Sequence, residues 1–133
     1  MGARKKLAAD ARKEAMKTVA LAQLRNVPTS PRRMRQVADL IRGEKVEKAL
    51  GILRFSTRHS SRDLEKLLLS AVANWQAKNE GSRAEDADLF VKSVQVNEAR
   101  GLKRMLPAPQ GRAYRMKKRS NHVSLIVDAA TAN

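Results

Sequence analysis

Twenty consecutive residues, Arg100 to Arg119, hold eight lysines and arginines and no acid. Such a stretch cannot line a hydrophobic core, because an unpaired buried charge costs far more than its packing returns. The chain must build its core elsewhere and carry this segment outside. Leu89 to Val96 before it and His122 to Val127 after it are apolar runs with the alternation of half-buried strands. Phe90, Val94 and Val96 are expected on one face of the first strand, and Val123, Leu125 and Val127 on one face of the second. Between them, Pro107-Ala108-Pro109-Gln110-Gly111 marks a turn. The pattern predicts two antiparallel strands that leave the body as one hairpin arm, over about residues 98–121, with legs of roughly 30 Å. Leu102, Met105, Leu106, Tyr114 and Met116 are too few to form a core so far out. An isolated ribbon is marginal in water, so a polyanion is the arm's expected stabiliser.

The rest of the charge supports this division. Residues 1–42 carry 11 basic and 3 acidic side chains, residues 43–99 carry 9 of each, and residues 100–133 carry 8 basic and 1 acidic. The net charge of +15 on 133 residues thus sits at the two ends of a neutral middle. A solvated surface normally mixes both signs, so a nucleic-acid partner is the first expectation.

The neutral middle supplies helices. Ser30 caps and Pro31 opens the first, whose Met34, Val37, Ala38, Leu40 and Ile41 recur at the helical period before Gly43 stops it. Its Arg32, Arg33, Arg35 and Arg42 fall on other faces and are candidate nucleic-acid contacts. Val46, Ala49, Leu50 and Leu53 mark a shorter helix. A third follows Ser60-Ser61, with Leu64, Leu67, Leu68, Ala71, Val72 and Trp75 as one stripe, Trp75 in the core, and His59 in the loop before it. A third strand is expected over Val19 to Arg25. The fold class is therefore α+β: three helices on a small three-stranded antiparallel sheet. Residues 19–133 form one globular nucleic-acid-binding domain with the arm, and residues 1–18 a basic extension, helix or tail.

Little here suggests catalysis. There is no cysteine, and His59 and His122 are the only histidines. No Walker loop, Gly-x-Ser-x-Gly elbow or His-Glu-x-x-His segment is present. Glu85, Asp86 and Asp88 lack the glycine and terminal glutamate of a calcium loop and read as a solvated turn. No apolar run would span a bilayer and no secretory signal is visible, so an intracellular protein is expected, with no enzyme activity, cofactor, metal, membrane partner or homo-oligomer.

On the arm, Arg100, Lys103, Arg104, Arg112, Arg115, Lys117, Lys118 and Arg119 suit insertion between nucleic-acid helices, arginine adding base stacking to phosphate contact. Tyr114 can stack on a base or pack across the ribbon on Leu106. His122 can meet phosphate or backbone, or serve a structural role.

The residues Ser30-Pro31-Arg32-Arg33-Met34-Arg35-Gln36-Val37-Ala38-Asp39-Leu40-Ile41-Arg42-Gly43 closely resemble the first helix of the large-subunit ribosomal protein family numbered twenty-two. Ser70-Ala71-Val72-Ala73-Asn74 is similar to that family's long third helix. Lys103-Arg104, Pro107, Gly111-Arg112-Ala113 and Lys118-Arg119-Ser120-Asn121-His122 match its arm. The resemblance runs in register from about Leu24 to Asp128. It implies a structural constituent of the large ribosomal subunit that binds large-subunit ribosomal RNA, supports assembly and touches neighbouring ribosomal proteins. It also implies an arm whose tip helps line the nascent-peptide exit tunnel, near the macrolide site. Leu102, Lys103 and Arg104 with Pro107, Ala108, Pro109, Gln110, Gly111 and Arg112 would be the tunnel-side residues, facing the nascent polypeptide. Two departures mark the tip. Ala108 and Pro109 stand where the family usually has arginine and a small residue, and Gln110 replaces a common lysine. This tip is less cationic and stiffer. The alternative of another class is a nucleoid DNA-binding architectural protein that wedges base steps with a basic β-arm.

Overall fold

The computed structural model describes residues 3–79 and 87–129. Along the chain come α1 (Ala3–Thr18), β1 (Ala20–Val27), α2 (Pro31–Ile41), α3 (Val46–Phe55), α4 (His59–Lys78), β2 (Leu89–Pro107) and β3 (Ala113–Ala129). A 3-10 turn, Pro109–Gly111, joins the last two. The sheet has the order β1-β3-β2, and both pairings are antiparallel. The architecture is α+β, with α2, α3 and α4 supplying the helical side of one core.

Sequence periodicity explains the helices with two corrections. In α2, Met34, Val37, Ala38 and Ile41 are fully buried, but Leu40 points to solvent and is 52% exposed. The apolar count around α2 thus includes one residue that does not share its buried face. Ser30 has extended backbone ahead of Pro31, although its side chain makes no capping bond. Gly43, at φ +79, supplies the stop in a left-handed conformation that glycine adopts without strain. α4 begins at His59, not after Ser60-Ser61, so His59 is its first residue and both serines are buried in its first turn. Leu64, Leu67, Leu68, Ala71 and Trp75 then face the core as one row. Fully burying each large aliphatic side chain there stabilises the fold by about 1.5–3 kcal/mol.

The first strand of the hairpin departs from simple alternation. Leu89, Val91, Val94 and Val96 are buried, and Phe90 is only half-buried on the other side. The cause is a bulge: Val91 pairs with Val127 and Ser93 with Ile126, leaving Lys92 as an extra residue. One added residue moves all that follow to the opposite face, so odd positions before Lys92 and even positions after it share the core. On the outer edge of β2, the Gly43 N–H donates to the Val91 carbonyl at 2.9 Å and the Val91 N–H to the Glu44 carbonyl at 3.0 Å. That pins the α2–α3 connection to the sheet and covers part of an otherwise open edge. Glu85 and Asp86 lie outside the described residues. Asp88 forms an ion pair with Lys45 at 2.7 Å, and that hydrogen bond, then the carboxylate's charge, hold the lysine above its ordinary pKa.

Candidate nucleic-acid interface

β2 and β3 continue as a two-stranded ribbon well past the helices, with pairing from Leu102↔Lys118 out to Pro107↔Ala113. A second bulge separates this ribbon from the sheet. Ala99 pairs with Ser120 and Leu102 with Lys118, so Arg100 and Gly101 together oppose Arg119. A Cβ on Gly101 would lie 3.0 Å from the Lys118 carbonyl oxygen and from Lys117 Cε. Only glycine lets the two backbones approach this closely. At the tip the Ala108 N–H donates to the Arg112 carbonyl at 2.9 Å, while Gln110 and Gly111 take φ +61 and +72.

The register sorts the arm's side chains onto two sides, because cross-strand partners share a face and neighbours alternate. Lys103 lies opposite Lys117 and Met105 opposite Arg115, with Arg119 further back on the same side. This side carries four of the arm's cations, with Met105 among them and the Pro107↔Ala113 pair between them and the tip. On the other, Leu102 opposes Lys118, Arg104 opposes Met116 and Leu106 opposes Tyr114. Leu102, Leu106 and Tyr114 are all exposed there, so this side mixes apolar surface with single charges. Like charges directly across a ribbon, as at Lys103 and Lys117, destabilise it unless an anion sits between them.

The candidate cations are not equivalent. Arg35 donates through Nε and Nη2 to the Val96 carbonyl at 3.3 and 3.1 Å. Arg42 donates to the Val94 carbonyl at 3.2 Å and pairs with Asp39 at 2.7 Å. Both strap α2 to β2. Arg119 pairs with Glu98 at 2.9 Å, and Lys117 lies 3.8 Å from the same carboxylate. The Arg104 guanidinium donates to the Lys103 carbonyl. Arg32, Arg33, Arg100, Lys103, Arg112, Arg115 and Lys118 are exposed and make no ion pair among the described residues. That acid-free set is the surface most in need of a polyanion.

The profile of one protein family, ribosomal protein L22p/L17e, matches residues 22–128. The chain belongs to this family. Relatives named large ribosomal subunit protein uL22 align along nearly the whole length. The Flavobacterium johnsoniae protein is 60% identical over 129 residues, 97% of this chain and 94% of its own. The Bacteroides fragilis (strain YCH46) protein is 58% identical over 133 residues, 100% of this chain and 97% of its own. That of Porphyromonas gingivalis is 60% identical over 128 residues, 96% and 95% of the two chains.

For this L22p/L17e chain, the structure also gives a role to Asn121, which charge and periodicity did not single out, and a backbone partner to His122, whose role the sequence left open. Asn121 is fully buried where β3 leaves the body, and its Nδ2 donates to the Thr29 carbonyl and hydroxyl, each at 2.8 Å. His122 accepts the Asn26 N–H on Nδ1 at 3.0 Å, at a bulge where Arg25 and Asn26 oppose it. Asn26 is left-handed there, at φ +56, a conformation asparagine tolerates better than most residues. Both side chains therefore fix the β1–α2 connection, and with it the start of α2, beside the base of the arm. His122 keeps only Nε2 for another contact. Arg58 was likewise not singled out; it donates to Gln36 and shares with Arg33 a cleft between the first turns of α2 and α4. Tyr114 sits across from Leu106 and is 65% exposed, which leaves its ring open to stacking.

Proposed function

We propose that this chain is a structural constituent of the large ribosomal subunit, held there by large-subunit ribosomal RNA and neighbouring ribosomal proteins, and ribosome-bound in the cytoplasm. The observation that carries the reading is the unpaired cationic set on the arm and on the first turn of α2, within a family of ribosomal proteins. Lysine and arginine on phosphate supply affinity and position, so this surface holds and orients the protein without any catalytic step. Residues 19–133 act as the RNA-binding domain, with the arm over about 98–121. Arg32, Arg33, Arg100, Lys103, Arg112, Arg115 and Lys118 are the leading phosphate contacts. Arg104, Lys117, Arg119 and His122 contribute their remaining donors, and Arg35 and Arg42 mainly hold α2 in place. The tip, Pro107 to Arg112, together with Leu102, Lys103 and Arg104, would border the passage taken by the nascent polypeptide. Its mixed apolar and polar surface suits a lining that many sequences must slide past. Family membership favours this reading over the nucleoid alternative.

A photo-crosslinking side chain placed at Gln110 in the intact protein tests it. After expression in cells and gradient sedimentation, the protein should travel with the large subunit. In ribosomes stalled on a message it should crosslink to large-subunit RNA and to the nascent chain. Sedimentation apart from ribosomes would overturn the assignment, and crosslinks to RNA without any to the nascent chain would overturn the role of the tip.

A further inference from the structure

We infer that α1 is a separate RNA-binding prong, laid along an RNA backbone by two rows of cations that flank a narrow uncharged strip. The inference rests on the ribosomal-RNA reading above and adds an element to it, since α1 precedes the family match at residues 22–128. The Bacteroides fragilis relative nevertheless aligns over all 133 residues, which includes this helix.

α1 has sixteen residues, none buried, and at 1.5 Å per residue is about 24 Å long. The body holds its C-terminal end, where Lys78 Nζ donates to the Met16 carbonyl at 3.3 Å and the Val19 carbonyl at 2.6 Å. An isolated helix of this length is marginal in water. Lys13 and Lys17, four apart on one face, make it weaker still. A helix of this kind gains most from a partner that supplies negative charge.

Its angular order fits such a partner. At 100° per residue, Lys5 and Arg12 form one row and Lys6, Lys13 and Lys17 another, with Ala9 and Met16 between them. These five cations occupy a sector of about 140° that holds no acid. Asp10 and Glu14 stand outside it, Asp10 lying 3.9 Å from Lys13 at its margin. With long side chains, the two rows reach points roughly 10–15 Å apart, a spacing suited to phosphates on either side of a groove. The opposite strip, Arg4, Leu7, Ala8, Ala11 and Ala15, has one large apolar side chain and a lone cation, and too little apolar area for membrane insertion.

The test compares three full-length proteins binding large-subunit ribosomal RNA as salt is varied. One is unaltered. A second carries Lys5→Gln, Lys6→Gln, Arg12→Gln, Lys13→Gln and Lys17→Gln, which keep helix propensity and remove the charge. A third carries Arg4→Gln and Leu7→Ala on the other side. If each of the five cations neutralises a phosphate, the slope of log K against log salt should flatten by about 3.5–4.5 in the second protein. It should stay unchanged in the third. All three should share one thermal transition, because α1 buries nothing in the core. An unaltered protein that does not bind the RNA would sink the ribosomal reading itself. Normal binding with an equal slope in the five-glutamine protein would overturn this inference alone. A flatter slope only in the third protein would overturn it too, by placing the RNA on the opposite strip.

Discussion

The two halves of the β2–β3 hairpin share strands, direction and a nearly continuous ladder, yet have opposite surroundings. Near the helices, Val91/Val127, Val94/Leu125 and Val96/Val123 are buried pairs. Beyond Gly101, every cross-strand pair from Leu102/Lys118 to Pro107/Ala113 has at least one exposed member, and most have two. The difference teaches that backbone pairing does not decide which part of a sheet is a core. Pairing swaps water for protein at small net gain, whereas side-chain burial supplies the stability. The inner half can therefore define the fold while the outer half stays free to be shaped by its ligand.

Several substitutions would break or sharpen this contrast. Leu125→Ala, in the fully buried centre of the inner half, should cost about 2–5 kcal/mol in equilibrium denaturation. Leu106→Ala in the outer half should cost no more than about 0.5 kcal/mol. Comparable losses at the two sites would erase the distinction. Next in size comes Arg35→Gln, which removes both guanidinium bonds to the Val96 carbonyl. It should destabilise the free protein by about 1–2 kcal/mol, after allowance for the side chain's exposure. Arg33→Gln, two residues away and on another face of α2, should leave the melting curve in place and weaken RNA binding. The opposite assignment of the two effects would show that the carbonyl strap is not what Arg35 does. The smallest change to the body is expected from Gly101→Val. Its Cβ would press on the Lys118 carbonyl, loosening the ribbon. Amide exchange should accelerate from Leu102 to Lys118, while Val94 and Leu125 keep their protection. A fall in global stability above about 1 kcal/mol would mean that the arm and body unfold as one unit.

Much of this was legible beforehand because the relevant physics is periodic. Met34, Val37, Ala38 and Ile41, and the row from Leu64 to Trp75, announce their buried faces through spacing alone. The bulges were not legible. In Leu89 to Val96 both odd and even positions are apolar, so no pattern shows that Lys92 is the extra residue and that Phe90 turns away. Nor does composition distinguish an arginine that binds a carbonyl from one that is free. Arg35 and Arg33 look alike in sequence, and only the position of β2 separates their roles. Asn121 escaped for a related reason, since its partner Thr29 is remote along the chain.

The bulge at Arg100-Gly101 also limits how an arm of this type can vary in length. Because the two sides carry different chemistry, adding one residue to a leg would exchange them from that point outward. An odd residue is harmless only where a bulge absorbs it, as the β2 leg does here. Otherwise the arm can change reach only in steps of two residues per leg, about 7 Å at a time. Its reach is therefore quantised, and chains with insertions in this hairpin should show even differences per leg or a further glycine-bearing bulge.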